Sequence, residues 1–519
     1  RVQSSSAVAI LAQALLFRPR MLVHARRSLL TASPLISRGM ATTPGGSARR
    51  SDAVGLSKTF EAEMDAVLER AAAKLTGVVV VAKRGSCTYH KAFGLADHEA
   101  KEAMDVDRVF RMYSMTKVLT STLALMLQER VGEPCQADEV AKYIPSFGRA
   151  WDVVEAAGAD AQAPETVKVR SMISGVTESV PFVRRKPPGP MLVKHLMAEC
   201  SGIGYELFSD LDKAKGDTLG TKGGYAIANA LRRQRCPTVY TSSCILGHDL
   251  SIEEFCEVIA DAGVLCTDPG VISYGLGASV LGRIVEVVYA KHFEPLPLRE
   301  IFRELIFRPL GMNSAVFYDK GLDGKLPVLY GLSPVDGGEP KVVRAAESVP
   351  AIDPPYSNQS DHFSGPMKYD SGDTGSVMTV GDYAKFLDCL LRGGAAEDGT
   401  QVLSSKVVQT LLNDRHAGLS FDTGIGNMMK LSVGGAEFSY GWVTQNSTDE
   451  LPKQNFWSGY AGTHVRLYPE DNSYIIQGIQ CMDHCGTGFL DSTLRQPCLS
   501  TFLQNWTIEG SEAKRQRCA

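Results

Sequence analysis

Acidic residues are missing from the first 51 positions, where eight arginines stand among Ser, Ala and Leu and the first carboxylate is Asp52. An Arg-rich, Ser-rich, acid-free stretch has the composition of an import presequence, and MLVHARRSLLTASPLISRGMATT from Met21 predicts mitochondrial targeting of residues 1–51. The apolar run AVAILAQALLF at 7–17 is too short to span a bilayer and leaves a secretory signal as the alternative. No later run reaches membrane-spanning length, so no integral membrane segment is expected. Basic clusters are absent from the rest of the chain and the formal net charge is −4, which removes the electrostatic basis for nucleic acid as a partner. Regular cysteine spacing is missing too. Twelve cysteines lie between Cys87 and Cys518 in a chain of 519 residues, long enough to need no covalent staples, so reduced thiols are expected. CMDHC at 481–485 offers Cys481, His484 and Cys485 without a fourth ligand at zinc spacing, so no metal site is expected. There is no G-x-S-x-G elbow, H-E-x-x-H, P-loop or dinucleotide fingerprint, hence no cofactor is implied, and the ten histidines are too scattered to set a triad.

What is present begins after a Gly/Ser/Pro-rich joint at 43–56. With 44% hydrophobic and 22% charged residues, the remainder has the composition of a globular protein with a large core. SKTFEAEMDAVLERAAAKL carries apolar residues at helical spacing behind a capping serine. GVVVVAKRGSCTYHKAFG reads as two strands around RGS, and VLTSTLALMLQERVG as a helix stopped by Gly132. From about 136 to 434 the pattern is mostly helix and loop, punctuated by PPGP at 187–190 and DPP at 353–355, with 320–370 expected as a surface excursion. Strands return in FSYGWVTQ and in HVRLYPEDNSYIIQGIQ, and DSTLRQPCLSTFLQNW closes as a helix. Strands at both ends around a helical middle predict an α+β fold: one antiparallel sheet built from both termini (57–135 and 435–507), a mostly helical inserted region (136–434) and a tail at 508–519.

One short stretch carries chemistry. In RMYSMTKVLT, Ser114 and Lys117 stand three apart at the head of a helix, so they share a face one turn apart. The helix N-terminus favours negative charge at Ser114. A serine hydroxyl needs a neighbour to take its proton, and an amine does so only if its pKa falls well below about 10.4.

The flanking text FRMYSMTKVLTSTLALMLQERVG, preceded by FGLADHEAKEAMDVDRVF, resembles the serine β-lactamase-like superfamily, which includes penicillin-binding proteins. Within it the likeness is greatest to the class C β-lactamase-related family VIII carboxylesterases. KHLMAECSGIGYELF at 194–208 is similar to the family's LLTHTSG stretch, with Ala198, Glu199 and Cys200 in place of the common residues. DPGVISYGLGASVLGRIVEVV at 268–288 resembles the segment that carries a catalytic tyrosine, here Tyr274, followed by Gly275 and by Leu276 where class C lactamases have Asn. FRPLGMNSAVFYD at 307–319 and DSGDTGSVMTVGDYAKFLDCLLRGG at 370–394 match segments that shape the domain and pocket rim. FWSGYAGTHVRLYPEDN at 456–472 resembles the strand and turn where lactamases carry Lys-Thr-Gly and many family VIII esterases carry Trp-Gly-Gly. The likeness runs over roughly residues 57–507, in the family's order.

That resemblance implies an acyl-serine hydrolase acting on a small-molecule ester. Ser114 is the implied nucleophile, and Lys117 and Tyr274 share the proton's removal and return. Trp457, Ser458, Gly459 and Tyr460 form the implied binding turn, with the N–H groups of Ser114 and Tyr460 as oxyanion hole. Trp457 cannot supply the charge with which a lysine there binds a lactam carboxylate, so esters are implied and β-lactams disfavoured. An acyltransferase of the same fold and a non-catalytic scaffold remain the alternatives. His464, just beyond the turn, is expected on the outer face of its strand, with a place facing the site as the alternative.

Overall fold

The computed structural model describes residues 58–158, 160–162, 164–170, 177–205, 222–235, 250–318, 322, 325–333, 335, 338–345, 370–414, 437–447, 452–483 and 488–505. The predicted presequence, the cap at Ser57, the tail at 508–519, the DPP at 353–355 and the pair His484 and Cys485 lie outside them.

In chain order the elements that build the site are α1 (Lys58–Lys74), the hairpin β1 (Val78–Arg84) and β2 (Cys87–Phe93), the short β3 (Val109–Arg111) and α2 (Thr116–Val131). The inserted region opens with β4 (Asp152–Ala156), β5 (Glu165–Arg170) and β6 (Thr177–Arg185), then α3 (Gly224–Arg235), α4 (Ile252–Ala262), β7 (Val264–Leu265) and α5 (Gly277–His292). It continues through β8 (Val316–Phe317), β9 (Tyr330–Ser333), β10 (Lys341–Arg344), β11 (Ser376–Thr379), α6 (Val380–Leu391) and α7 (Ser405–Asn413). The chain returns with β12 (Glu437–Ser439), β13 (Trp442–Gln445), β14 (Gln454–Ser458), β15 (His464–Tyr468), β16 (Ser473–Ile479), β17 (Cys481–Met482) and α8 (Gln496–Asn505).

Both ends of the chain do build one sheet. Its order is β12-β13-β14-β15-β16-β1-β2, and β1 pairs antiparallel with β16 from Val78 opposite Ile479 to Arg84 opposite Ser473. Alternation along β1 divides its side chains between two cores. Val78, Val80 and Ala82 pack with Phe60, Met64 and Leu68 of α1 and with Leu499 and Phe502 of α8. Val79 and Val81 face the larger core that contains α2. Helix α2 is buried along three turns, including its Thr and Ser residues, because it lies between this sheet and the inserted region. Its hydroxyls are satisfied locally or across the packing: Thr122 Oγ1 donates to the Val118 carbonyl at 2.7 Å and Thr120 Oγ1 to the Gly372 carbonyl at 2.7 Å.

The inserted region carries the expected helices and more strand than its sequence suggests. A four-stranded sheet, β5-β6-β4-β7, lies within it, and β8-β11-β3 forms a separate three-stranded sheet. The stretch expected as a surface excursion holds the β9/β10 hairpin, with Tyr330 and Leu332 buried in the core beneath α1. Its interior strand β9 also runs parallel to β17, from Tyr330 opposite Cys481 to Gly331 opposite Met482. Burial on that side explains why it is a strand and not a free loop.

Candidate active site

Ser114 sits in a single 3-10 turn, Tyr113–Met115, that leads straight into α2. Lys117 follows one turn on, and no part of it reaches solvent (0% exposed). Tyr274 comes from the segment before α5 and is also buried. The structure thus brings Ser114, Lys117 and Tyr274 together, with Trp457, Gly459 and Tyr460 from the end of β14 and the turn after it.

Tyr274 is the hub. Its hydroxyl accepts a hydrogen bond from Trp457 Nε1 at 3.2 Å and is hydrogen-bonded to the Ser114 hydroxyl. Its ring packs against Tyr205, Phe438 and Trp457 at centroid distances of 5.4, 5.8 and 5.4 Å. Burial pushes the phenol up to about 12, while the Lys117 charge and the bonds from Ser114 and Trp457 act in the opposite sense. Trp457 is therefore a hydrogen-bond donor to the candidate base as well as an aromatic wall.

Lys117 Nζ donates to Tyr205 Oη at 2.5 Å and lies 3.3 Å from Asp373 Oδ1. It stands 4.9 Å from the ring centroids of both Tyr205 and Tyr274, within cation–π range. Burial alone would lower its pKa, but the Asp373 carboxylate, with Tyr274 and Glu199, more than reverses this and the net shift is upward. A base that works as a free amine needs a shift downward, so the side chain is held as ammonium.

Close approach explains two glycines. A Cβ on Gly459 would lie 2.4 Å from the Met112 carbonyl oxygen, so only glycine lets the turn after β14 reach the segment that carries Ser114. A Cβ on Gly275 would lie 1.9 Å from the Ile203 carbonyl oxygen, against the bridge that Gly275 makes with Gly204. Gly275 thus allows the Tyr274 segment to seat against residues 203–205. Gly275→Ala is expected to destabilise the protein by about 1–3 kcal/mol through overpacking and to lower turnover as Tyr274 moves; denaturant unfolding beside an ester assay reads both.

The binding turn differs from expectation on one face. Ser458 pairs across the sheet with His464, and its Oγ lies 2.7 Å from His464 Nδ1. His464 is buried, not on an outer surface as its place in the strand suggests. Arg466 Nε can only donate, so it bonds His464 Nε2 at 3.2 Å and leaves the imidazole proton on Nδ1, directed at Ser458. Burial and the charges of Arg466 and Arg495 hold this histidine well below its ordinary pKa, hence neutral. The Gly459 N–H is engaged by the Thr463 carbonyl at 2.8 Å, and the Tyr460 ring meets Tyr113 edge-on at 6.0 Å.

Three residues of the site escaped the sequence reading. Tyr205 ends the SGIGY segment without a recognised role, Glu199 stands where the family has another residue, and Asp373 lies in GDTG, read only as pocket rim. All three are buried around Lys117 and Tyr274. Among the described residues no group of three His, Cys, Asp or Glu could hold a metal ion, and no helix is long and apolar enough to cross a membrane.

The comparisons agree with this architecture. Esterase EstB of Burkholderia gladioli is 24% identical over 345 residues, 65% of this chain and 71% of that protein. Penicillin-binding protein 4 of Amycolatopsis lactamdurans is 24% identical over 316 residues, 60% of this chain and 59% of that protein. Among solved structures, the unliganded simvastatin synthase LovD from Aspergillus terreus shares the fold with a TM-score of 0.59 at 18% identity, over 86% of this chain and 99% of its own. The structure titled EstCE1, a hydrolase with promiscuous acyltransferase activity, shares it with a TM-score of 0.56 at 18% identity, over 85% and 98%. The family model described as Beta-lactamase matches residues 57–477, most of the described fold and every segment of the site, and the chain belongs to that family.

Proposed function

We propose that the protein is a serine hydrolase that cleaves small, uncharged esters through an acyl-enzyme on Ser114. The observation that carries this reading is the contact set of Tyr274, whose hydroxyl meets both the Ser114 hydroxyl and Trp457 Nε1 beside a buried ammonium. Tyr274, a phenol at rest, reacts as the phenolate, its proton released to water and the anion favoured by the Lys117 ammonium; Ser114 Oγ attacks the acyl carbonyl while its proton passes to that phenolate. The proton then returns to the departing alkoxide, and water repeats the cycle to free the acid. The backbone N–H groups of Ser114 and Tyr460 receive the oxyanion.

Substrate class follows from Trp457. An indole N–H offers one neutral donor, already given to Tyr274, where a lysine would offer a charge to a carboxylate. Losing a hydrogen bond to a charged group costs about 1.5–3 kcal/mol, or about 10- to 160-fold in binding. An apolar acyl or alcohol group, by contrast, gains from the surface of Trp457 and Phe438, whose rings meet at 4.6 Å. Acyl transfer to an alcohol shares every step up to the acyl-enzyme.

The test is direct. A fluorophosphonate probe is expected to label Ser114, and short-chain p-nitrophenyl esters to turn over far faster than nitrocefin. An added alcohol that raises the rate of p-nitrophenol release and yields a new ester would identify transfer. A protein that neither labels nor cleaves any short-chain ester would remove the basis for this function and leave a scaffold.

A further inference from the structure

Two carboxyls, Asp373 and Glu199, act on Lys117, and neither has a part in the steps above. Glu199 is almost fully buried (1% exposed) and adopts a left-handed backbone conformation, φ 54, that non-glycine residues seldom take. Its position is used twice. Its main-chain carbonyl accepts from the Ser273 N–H at 2.7 Å, and its Oε2 accepts from the Gly275 N–H at 2.8 Å. Those are the two N–H groups that flank Tyr274, so one residue clamps the tyrosine from both sides. Its other oxygen, Oε1, is buried without a hydrogen-bond partner, and Glu199 makes no ion pair among the described residues. Both oxygens of Asp373 are likewise buried without a hydrogen-bond partner, but Asp373 stands at ion-pair distance from Lys117, and both of those side chains are sealed from solvent. Two carboxylates against one ammonium would leave an excess negative charge in a buried interior, which is costly.

We infer that Glu199 is a positioning residue for Tyr274 that works as a neutral carboxyl, the two buried acids holding one proton between them on Glu199 and one negative charge on Asp373. The groups facing Glu199 are consistent with that division. Burial pushes the carboxyl up to about 8, and Asp373 in the segment before β11 acts in the same sense; Lys117 on α2 and the bond from the Gly275 N–H favour the charged form and are outweighed. Cys200 beside it, Tyr225 on α3 and Tyr274 are all pushed upward by burial and stay neutral.

The consequence rests on the proposed role of Ser114, Lys117 and Tyr274. An ionised Glu199 adds a negative charge near Tyr274 and makes that tyrosine harder to deprotonate. Fluorophosphonate labelling of Ser114 and ester hydrolysis are therefore compared for wild type and Glu199→Gln from about pH 6 to about pH 10. Glutamine keeps an acceptor for the Gly275 N–H and has no proton to lose. With each profile normalised to its own value at about pH 6, the wild type is expected to fall below the variant as pH rises through about 8. Profiles that stay parallel overturn the inference. Glu199→Ala, which deletes the acceptor as well, is expected to lower kcat about tenfold below Glu199→Gln with little change in KM; equal kcat values overturn the clamp.

If the wild type shows no labelling at any pH, the catalytic assignment fails and stability still reads Glu199. Its carboxyl titrates near 4.5 in the unfolded chain and near 8 in the fold, so the folded protein holds the proton more tightly. The stability that depends on the neutral form is complete below the unfolded value and is lost as pH rises through the folded one. The thermal midpoint of Glu199→Gln relative to wild type is expected to climb between about pH 5 and about pH 9. A constant difference overturns the placement of the proton.

Discussion

Ser114→Ala and Lys117→Met are each expected to lower ester turnover by about 10,000-fold or more, and the double variant to be no worse than the weaker single. Removing the hydroxyl deletes the acyl-enzyme route, so what remains is the stabilisation a bound ester receives from the oxyanion donors alone. Removing the ammonium deletes the charge that favours the Tyr274 phenolate and the donor to Tyr205, whose ring packs on that tyrosine. Methionine keeps the length of the apolar stem, and Asp373, whose pKa burial already raises, can take up a proton in the charge's absence. On the proposed mechanism the two residues act in one proton transfer, so losing either is expected to forfeit the same step. Turnover of a p-nitrophenyl ester, measured for both singles and the double with folding checked by circular dichroism, gives the cycle. Losses that multiply in the double variant would mean that Lys117 acts apart from Ser114, and the shared-step mechanism would fall.

The parts of this fold that were legible in sequence are those where local pattern and tertiary demand agree. The β-branched run in VVVVAKR and the RGS turn make the β1/β2 hairpin whatever covers them, and the apolar run of α2 remains helical because both of its neighbours are apolar layers. The strands of the inserted region were hidden by composition. Strand β6, TESVPFVRR, carries a proline and three charges, yet it is held between β4 and β5 with Val180 and Phe182 buried. Pro181, which has no N–H to donate, is tolerated because it lies just past the last β4–β6 pair, Ala156 opposite Phe182, where its carbonyl still accepts from the Ala157 N–H at 2.9 Å.

At the site, position along the chain decided what could be seen. Ser114 and Lys117 are one turn apart, and Tyr274 lies in a segment recognisable by resemblance. Asp373 and Glu199 reach Lys117 from loops that have no periodicity to reveal them. His464 was misplaced for a different reason. In HVRLY the polar residues alternate with Val and Leu, which is the pattern of a strand with one wet face. Here α1 and α8 cover the second face, where Tyr468 joins their core, so the alternate positions are interior and His464 and Arg466 must satisfy each other.

Stability should expose the same cluster without any assay of function. Breaking a buried ion pair by deleting one partner ordinarily costs about 3–5 kcal/mol, because the remaining charge is left unpaired. Asp373→Ala alone is expected to cost less than that, since Glu199 can surrender its proton and become the anion that Lys117 requires. Adding Glu199→Gln, which cannot ionise, removes this rescue, and the double variant is expected to lose the full amount, more than the sum of the two singles. The pH dependence gives an independent sign. With neither carboxylate present, burial is the dominant influence on Lys117 and depresses its pKa in the fold below its ordinary 10.5, so the unfolded chain binds the extra proton. Stability of the double variant should then rise with pH toward that value, whereas that of the wild type should fall as Glu199 ionises near 8. Urea unfolding of the four proteins across the neutral to alkaline range measures both. Additive losses with parallel pH curves would show that the two acids do not share a proton, and that Lys117 draws its charge balance from Asp373 alone.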